Sequence, residues 1–224
     1  GSITVWDGTT QLTAAPIALV NGVATYSIST LAYGDHNISA RFVNSNDNYA
    51  TSNNTSTPYV QHVRRATTTT LTSDNNPSIY GENVTFTATV TSASPGTIDG
   101  TVTFKDGATT IGTDTTMVGG VATFTTNALV VGTHPITAVY SGNGTFATST
   151  SAVLNQVVNQ ATLNVTADNK TVTYGDADPP FTFQYSGFVL GQTAAVINTP
   201  PTCDVLVPHV DVNTYPIVCS GAAD

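Results

Sequence analysis

Between Val84 and Val90 the chain alternates strictly between apolar and polar residues: Val84, Phe86, Ala88 and Val90 against Thr85, Thr87 and Thr89. A period of two belongs to a strand with one buried face. Similar short runs recur along the chain, punctuated by Asp7-Gly8, Asn21-Gly22 and Asp106-Gly107. Such pairs tolerate positive φ at the central positions of a tight hairpin, so they read as turns between strands. Within residues 66–159 the pattern predicts strands near 67–73, 82–91, 100–106, 109–114, 120–126, 133–140 and 150–158. Short strands with turns every ~8 to 12 residues indicate a two-sheet β-sandwich.

The pattern occurs twice. "GSITVWDGTTQLT" from Gly1 answers "GTVTFKDGATTIG" from Gly100, and "NGVATYSISTLAYGDHNISARF" from Asn21 answers "GGVATFTTNALVVGTHPITAVY" from Gly119. "NYATS" from Asn48 answers "TFATS" from Thr145, so only small loop changes separate the copies. The second copy is prefaced by "ATTTTLTSDNNPSIYGENVTFTATVTSASPGTIDG", residues 66–100, for which the first has no counterpart. The expected organisation is therefore an N-terminally truncated domain at 1–65, a complete one at 66–159 and a different, C-terminally truncated module at 160–224. The truncations suggest a piece of a longer protein.

Composition narrows the function. Only 8% of residues are charged, against about 25% in an ordinary soluble domain. Thr, Ser and Asn supply the polar surface instead, and Thr and Val suit a pleated, half-buried one. The net charge of −9 argues against nucleic-acid binding, which needs clustered Lys and Arg for counterion release. Arg64 and Arg65 are the only adjacent basic residues and read as a solvated linker. No apolar run approaches the ~20 residues of a membrane-spanning helix, and no stretch has the make-up of a signal peptide. Low charge and many short strands suggest a secreted or surface protein.

Few residues invite a chemical role. His36 and His134 occupy equivalent places ahead of alternating runs, "LAYGDHNISARF" and "LVVGTHPITAVY". A buried imidazole there can bond to the backbone at a sheet corner, as a Tyr does in related sandwiches. No partners stand at metal-ligand spacing, and no metal or cofactor is expected. "SNDNYA" at 45–50 offers oxygens for a weakly held Ca²⁺, without the EF-hand pattern. Asp176 and Asp178 sit in a Pro-flanked turn, where Asp is ordinary turn chemistry. Trp6 stands at an outward position held by Lys105 in the second copy, a candidate for packing or for an interface. No G-x-S-x-G, H-E-x-x-H or phosphate loop occurs, and the chain is expected not to be an enzyme.

The runs "YGENVTFTATV", "GTVTFKDGATTIG", "GGVATFTT" and "GTHPITAVYSGNGTFATSTS" resemble a bacterial Ig-like domain of the group-3 type. The resemblance spans 66–159 and, as a truncated copy, 1–65. It implies tandem Ig-like β-sandwiches without shared catalytic residues, of the kind that build stalks in large surface proteins. "YGDADPPFTFQYSGFVLGQTAAVI" resembles a YG-type MBG repeat, a small β-rich module found beside Ig-like domains in bacterial adhesins. "LGQTAAVI" at 190–197 is expected to form one short helix. Antiparallel pairing of "PTCDVLV" with "TYPIVCSG" would set Cys203 opposite Cys219, giving a disulfide or, alternatively, two buried thiols; zinc is disfavoured with only His209 nearby.

Three roles fit: a stalk or filament segment, an adhesin for glycans or host proteins, and an assembly unit completed by strands from elsewhere. The expected partners are neighbouring Ig-like domains or copies of the chain, and surface glycans.

Overall fold

In the computed structural model the described residues are 1–44, 48–205 and 211–222. The candidate calcium run at 45–50 and His209 lie wholly or partly outside them.

The first repeat copy forms β1 (Ser2–Asp7), β2 (Thr10–Gln11), β3 (Ile17–Ala18), β4 (Gly34–Val43), β5 (Ser52–Asn53) and β6 (Tyr59–Val63). All six belong to one sheet built around the antiparallel β1–β4 pair, with Ile3 opposite Phe42 and Val5 opposite Ala40. Val20 and Val23 close a tight turn over Asn21-Gly22, where φ is 51° and 81°. That left-handed pair is what Asn-Gly supplies at little steric cost.

The second copy forms β7 (Thr68–Ser73), β8 (Ser78–Ile79), β9 (Val84–Thr91), β10 (Val102–Asp106), β11 (Thr109–Asp114), β12 (Val121–Thr126), β13 (Gly132–Tyr140), β14 (Ser149–Thr150) and β15 (Leu154–Asn159). One sheet runs β11-β10-β13-β15-β8, with β14 on β13, and the other runs β12-β9-β7. Two strands depart from the sequence pattern. Residues 150–158 divide into β14 and β15, and β8 leaves the sheet of β7 to pair in parallel with β15.

The alternation in β9 sets the core. Val84, Phe86, Ala88 and Val90 are 2% exposed or less and face Val102, Phe104, Ile136, Ala138 and Tyr140, all at 0%. Each such large side chain contributes about 1.5–3 kcal/mol by leaving water. Phe104 and Phe124 stack across the sandwich with ring centroids 5.7 Å apart. On the opposite face of β9 the threonines meet threonines of β12, with Thr85 and Thr125 hydroxyls 3.1 Å apart. The Tyr140 hydroxyl, at the buried end of β13, donates to the Asp99 carbonyl over 2.6 Å.

The C-terminal segment pairs β16 (Asn164–Ala167) with β17 (Phe183–Ser186), and β18 (Thr202–Val205) with β19 (Ile217–Ser220). The helix expected over 190–197 is a single 3₁₀ turn at Ala194–Val196, capped by the Thr193 hydroxyl. Leu190 and Gly191 take φ of 53° and 71°, so the backbone turns there instead of starting a helix.

Candidate functional site

The two histidines build the same clip in each copy. His134 lies on β13 beside the end of β10, with Nδ1 2.6 Å from Asp106 Oδ2 and Nε2 2.8 Å from the Val130 carbonyl. His36 repeats this with Asp7 at 2.5 Å and the Ala32 carbonyl at 2.8 Å. A carboxylate and a carbonyl can only accept, so both ring nitrogens must carry protons and the clip selects the imidazolium. Burial works against the charge of His134, but the Val130 carbonyl and the Asp106 carboxylate outweigh it and hold the pKa above 6.5. The Ala32 carbonyl and then Asp7 raise that of His36. Each clip ties the loop before the strand to the Asp-Gly hairpin. The aspartates were missed as partners because Asp-Gly reads first as a turn; the signal is that each copy repeats Asp and His together at 28 or 29 residues.

Trp6 lies half-buried on the outer face of the first sheet. Arg41 stacks on it at 3.8 Å, and its indole N–H donates to the Thr4 hydroxyl over 2.9 Å. This cation–π pair covers the outer face: Thr4 and Ser39 beneath it are buried.

The inner face of that sheet is the unusual surface. Val5, Leu12, Tyr26, Ile28, Ile38 and Gln61 contribute to a groove of about 740 Å³. Val5 and Ile38 are half-buried and Ala40 is exposed, whereas their second-copy counterparts Phe104, Ile136 and Ala138 are fully buried. Val23–Ile28, equivalent to β12, lies outside any strand, and Tyr26 hangs over the groove with its hydroxyl on the Leu12 carbonyl at 2.7 Å.

Gln61 is a second residue that sequence reasoning missed. It stands opposite His36 as Gln156 stands opposite His134. Gln156 is fully buried. Its Nε2 donates to the Asn75 carbonyl at 2.8 Å, and its Oε1 accepts from Ser73 Oγ at 2.7 Å. Gln61 is exposed and donates to the neighbouring His62 carbonyl over 3.2 Å. The recurring Gln beside two recurring His was the available clue.

At the junction of the two copies, Arg64 donates to the Asn143 carbonyl over 2.7 Å. Arg65 donates to the Pro95 carbonyl and stacks on Tyr33 at 4.3 Å, while the Tyr33 hydroxyl reaches Thr145 Oγ1 at 3.1 Å. The pair expected to be solvated linker charge thus bridges the copies.

In the C-terminal segment Cys203 and Cys219 are direct cross-strand partners joined by a disulfide, S–S 2.01 Å. A cleft of about 470 Å³ is lined by Tyr174, Asp176, Asp211, Asn213 and Tyr215 among others. Among the described residues no cluster of His, Cys, Asp and Glu could hold a metal ion, and no helix is long and apolar enough to cross a membrane.

Among solved structures the chain is similar to the fibronectin(III)-like modules of Clostridium thermocellum CbhA, at 19% identity and a TM-score of 0.39, covering 71% of this chain and 78% of that one. It is also similar to the full ectodomain (Ig1–Ig3) of mouse nectin-like molecule 4, at 15% identity and a TM-score of 0.31, covering 70% of this chain and 54% of that one. Neither likeness is close enough to bear on function. No curated protein matches. Family profiles match in succession along the chain: residues 71–159 match the bacterial Ig-like domain (group 3) and residues 163–224 the MBG domain (YGX type).

Proposed function

We propose that the chain is a non-catalytic structural segment of a bacterial extracellular surface protein, serving as stalk or filament. Domains of these two kinds are typical of bacterial surface proteins and are generally non-catalytic modules. Residues 1–65 are read as a further Ig-like unit, on the strength of the internal repeat. The observation that carries the stalk reading is the junction: Arg64 and Arg65 are bonded to the second copy, and Arg65 stacks on a tyrosine of the first. A connection so short and so occupied restricts bending, unlike a Gly/Ser tether. The disulfide agrees with an oxidising, extracellular setting.

Small-angle scattering tests the proposal. Strands of eight residues at ~3.3 Å each make units of roughly 30 Å, so three in line reach roughly 100 Å. The corresponding radius of gyration is roughly 30 Å, against roughly 17 Å for a compact body of this chain length. The compact value overturns the stalk reading.

The alternative, an adhesin, draws on the C-terminal cleft. Tyr174 is 70% exposed there, beside Asp176, Asp211 and Asn213. An aromatic face flanked by carboxylate and amide groups suits a sugar. Binding on a glycan array, lost in Tyr174→Ala, favours this role; silence across the array removes it.

A further inference from the structure

The loops that the two clips hold are the loops that meet the next module. His36 Nε2 grips the Ala32 carbonyl at 2.8 Å. The following residue, Tyr33, carries Arg65 on its ring at 4.3 Å and reaches Thr145 Oγ1 of the second copy at 3.1 Å. His134 Nε2 grips the Val130 carbonyl at 2.8 Å. The following residue, Val131, lines a crevice of about 520 Å³ with Tyr80 of its own copy and Leu163, Phe188 and Val189 of the C-terminal segment. The seating there is close: a Cβ at Gly81 would stand 2.8 Å from Val189 Cβ. In both copies a glycine follows the contact residue, Gly34 at φ 135° and Gly132 at φ 144°. Glycine is free to turn there, so the strand does not dictate the course of the loop ahead of it. Leu129, buried in the core, roots the second loop and leaves the Val130–Val131 tip to the clip.

We propose that each His–Asp clip positions the joint to the module that follows, and that loss of one ring proton loosens that joint while the copy stays folded. A neutral imidazole keeps one N–H for two acceptors. A bond to a carboxylate is stronger than one to a carbonyl, so the remaining proton stays on Nδ1 towards Asp106. Nε2 then turns a lone pair on the Val130 carbonyl, and the tip that carries Val131 is released. The same step at His36 keeps the Asp7 bond and frees Ala32 and Tyr33. Asp106 faces His134 from β10, and β15 sets the neutral Gln156 opposite it. Around His36 stand Asp7 on β1 and Asp35 on its own strand. Asp35 is in turn bonded to His62 of β6 at 2.6 Å and acted on by Arg64. Burial opposes the charge of His134, but the Val130 carbonyl and Asp106 outweigh it, so the proton leaves above pH 6.5. The inference stands on the two joints and is independent of the stalk reading.

The second joint carries the test, since its clip has the simpler surroundings. Spin labels at Thr110→Cys and Asn169→Cys, both exposed, report the distance between the second copy and the C-terminal segment in the full chain. Cys203 and Cys219 are joined to each other, so the labels attach only at the new sites. The width of the distance distribution should at least double between pH 6 and pH 9. His134→Gln offers one amide to two acceptors and should give the broad distribution at both values. Asp106→Asn removes the carboxylate that favours the ring proton, so broadening should set in at lower pH than in the parent. Hydrogen exchange at the β13 amides, read alongside, should show the second copy folded throughout. Four outcomes overturn the proposal. They are an equal width at pH 6 and pH 9 in the parent, a narrow distribution in His134→Gln at pH 6, an unshifted onset in Asp106→Asn, and broadening seen only once the β13 amides have lost protection to global unfolding.

Discussion

The His134 clip makes the second copy's stability depend on pH in a stated direction. Both ring nitrogens face acceptors, Asp106 Oδ2 at 2.6 Å and the Val130 carbonyl at 2.8 Å, and the side chain is only 11% exposed. Losing the proton leaves one acceptor without its donor, and a hydrogen bond to a charged group contributes about 1.5–3 kcal/mol. The folded pKa is raised above 6.5. The contribution is therefore complete below the unfolded value and is lost as pH rises through the folded one. His134→Gln removes the titration. At pH 6 the substitution should cost about 2 kcal/mol, on the order of 10 °C in the melting of a domain this size, and at pH 9 distinctly less. The assay is native-state hydrogen exchange at the β13 amides in parent and variant from pH 6 to 9. Taking the difference cancels the contribution of His36, which belongs to the other copy. A cost that stays constant across that range, or a His134 ring resonance titrating at or below 6.5, refutes the reasoning.

Other substitutions separate the remaining contributions. Phe86→Ala empties a site at 0% exposure and should cost about 3–5 kcal/mol, measured by denaturant unfolding of the second copy. Arg65→Ala removes both the stack on Tyr33 and the bond to Pro95; spin-label distances between the copies should broaden, with little change in either copy's exchange protection. Cys203→Ser opens a link between residues 16 apart in sequence and should destabilise the C-terminal segment by about 3 kcal/mol. Exchange should rise in β16–β19 and stay unchanged in β7–β15.

Much of the second copy was legible because the period of two acts locally. Alternation across Val84–Val90 assigns a face to each side chain whatever the neighbours are, and Gly107, at a φ of 55°, fixes the β10–β11 turn by backbone sterics, although the central pair there is Gly107-Ala108, with Asp106 still in the strand. The split between β14 and β15, the crossing of β8 to the other sheet and the reduction of 190–197 to one 3₁₀ turn were not legible. Each depends on which distant strand offers hydrogen bonds. The histidines could be singled out from the sequence, but their carboxylate partners could not, since Asp7 and Asp106 reach them only once β1 lies on β4 and β10 on β13. Gln61 and Gln156 show this most plainly: the same residue in the same register is solvated in one copy and fully buried in the other.

The sequence by itself determined an all-β chain, its repeat, its turns and which side chains share a face, because these follow from local sterics and a two-residue period. Only the tertiary structure decided which faces are covered, which polar groups meet and how the arginines join the copies. Burial and pairing depend on segments far apart along the chain, which no local pattern brings together.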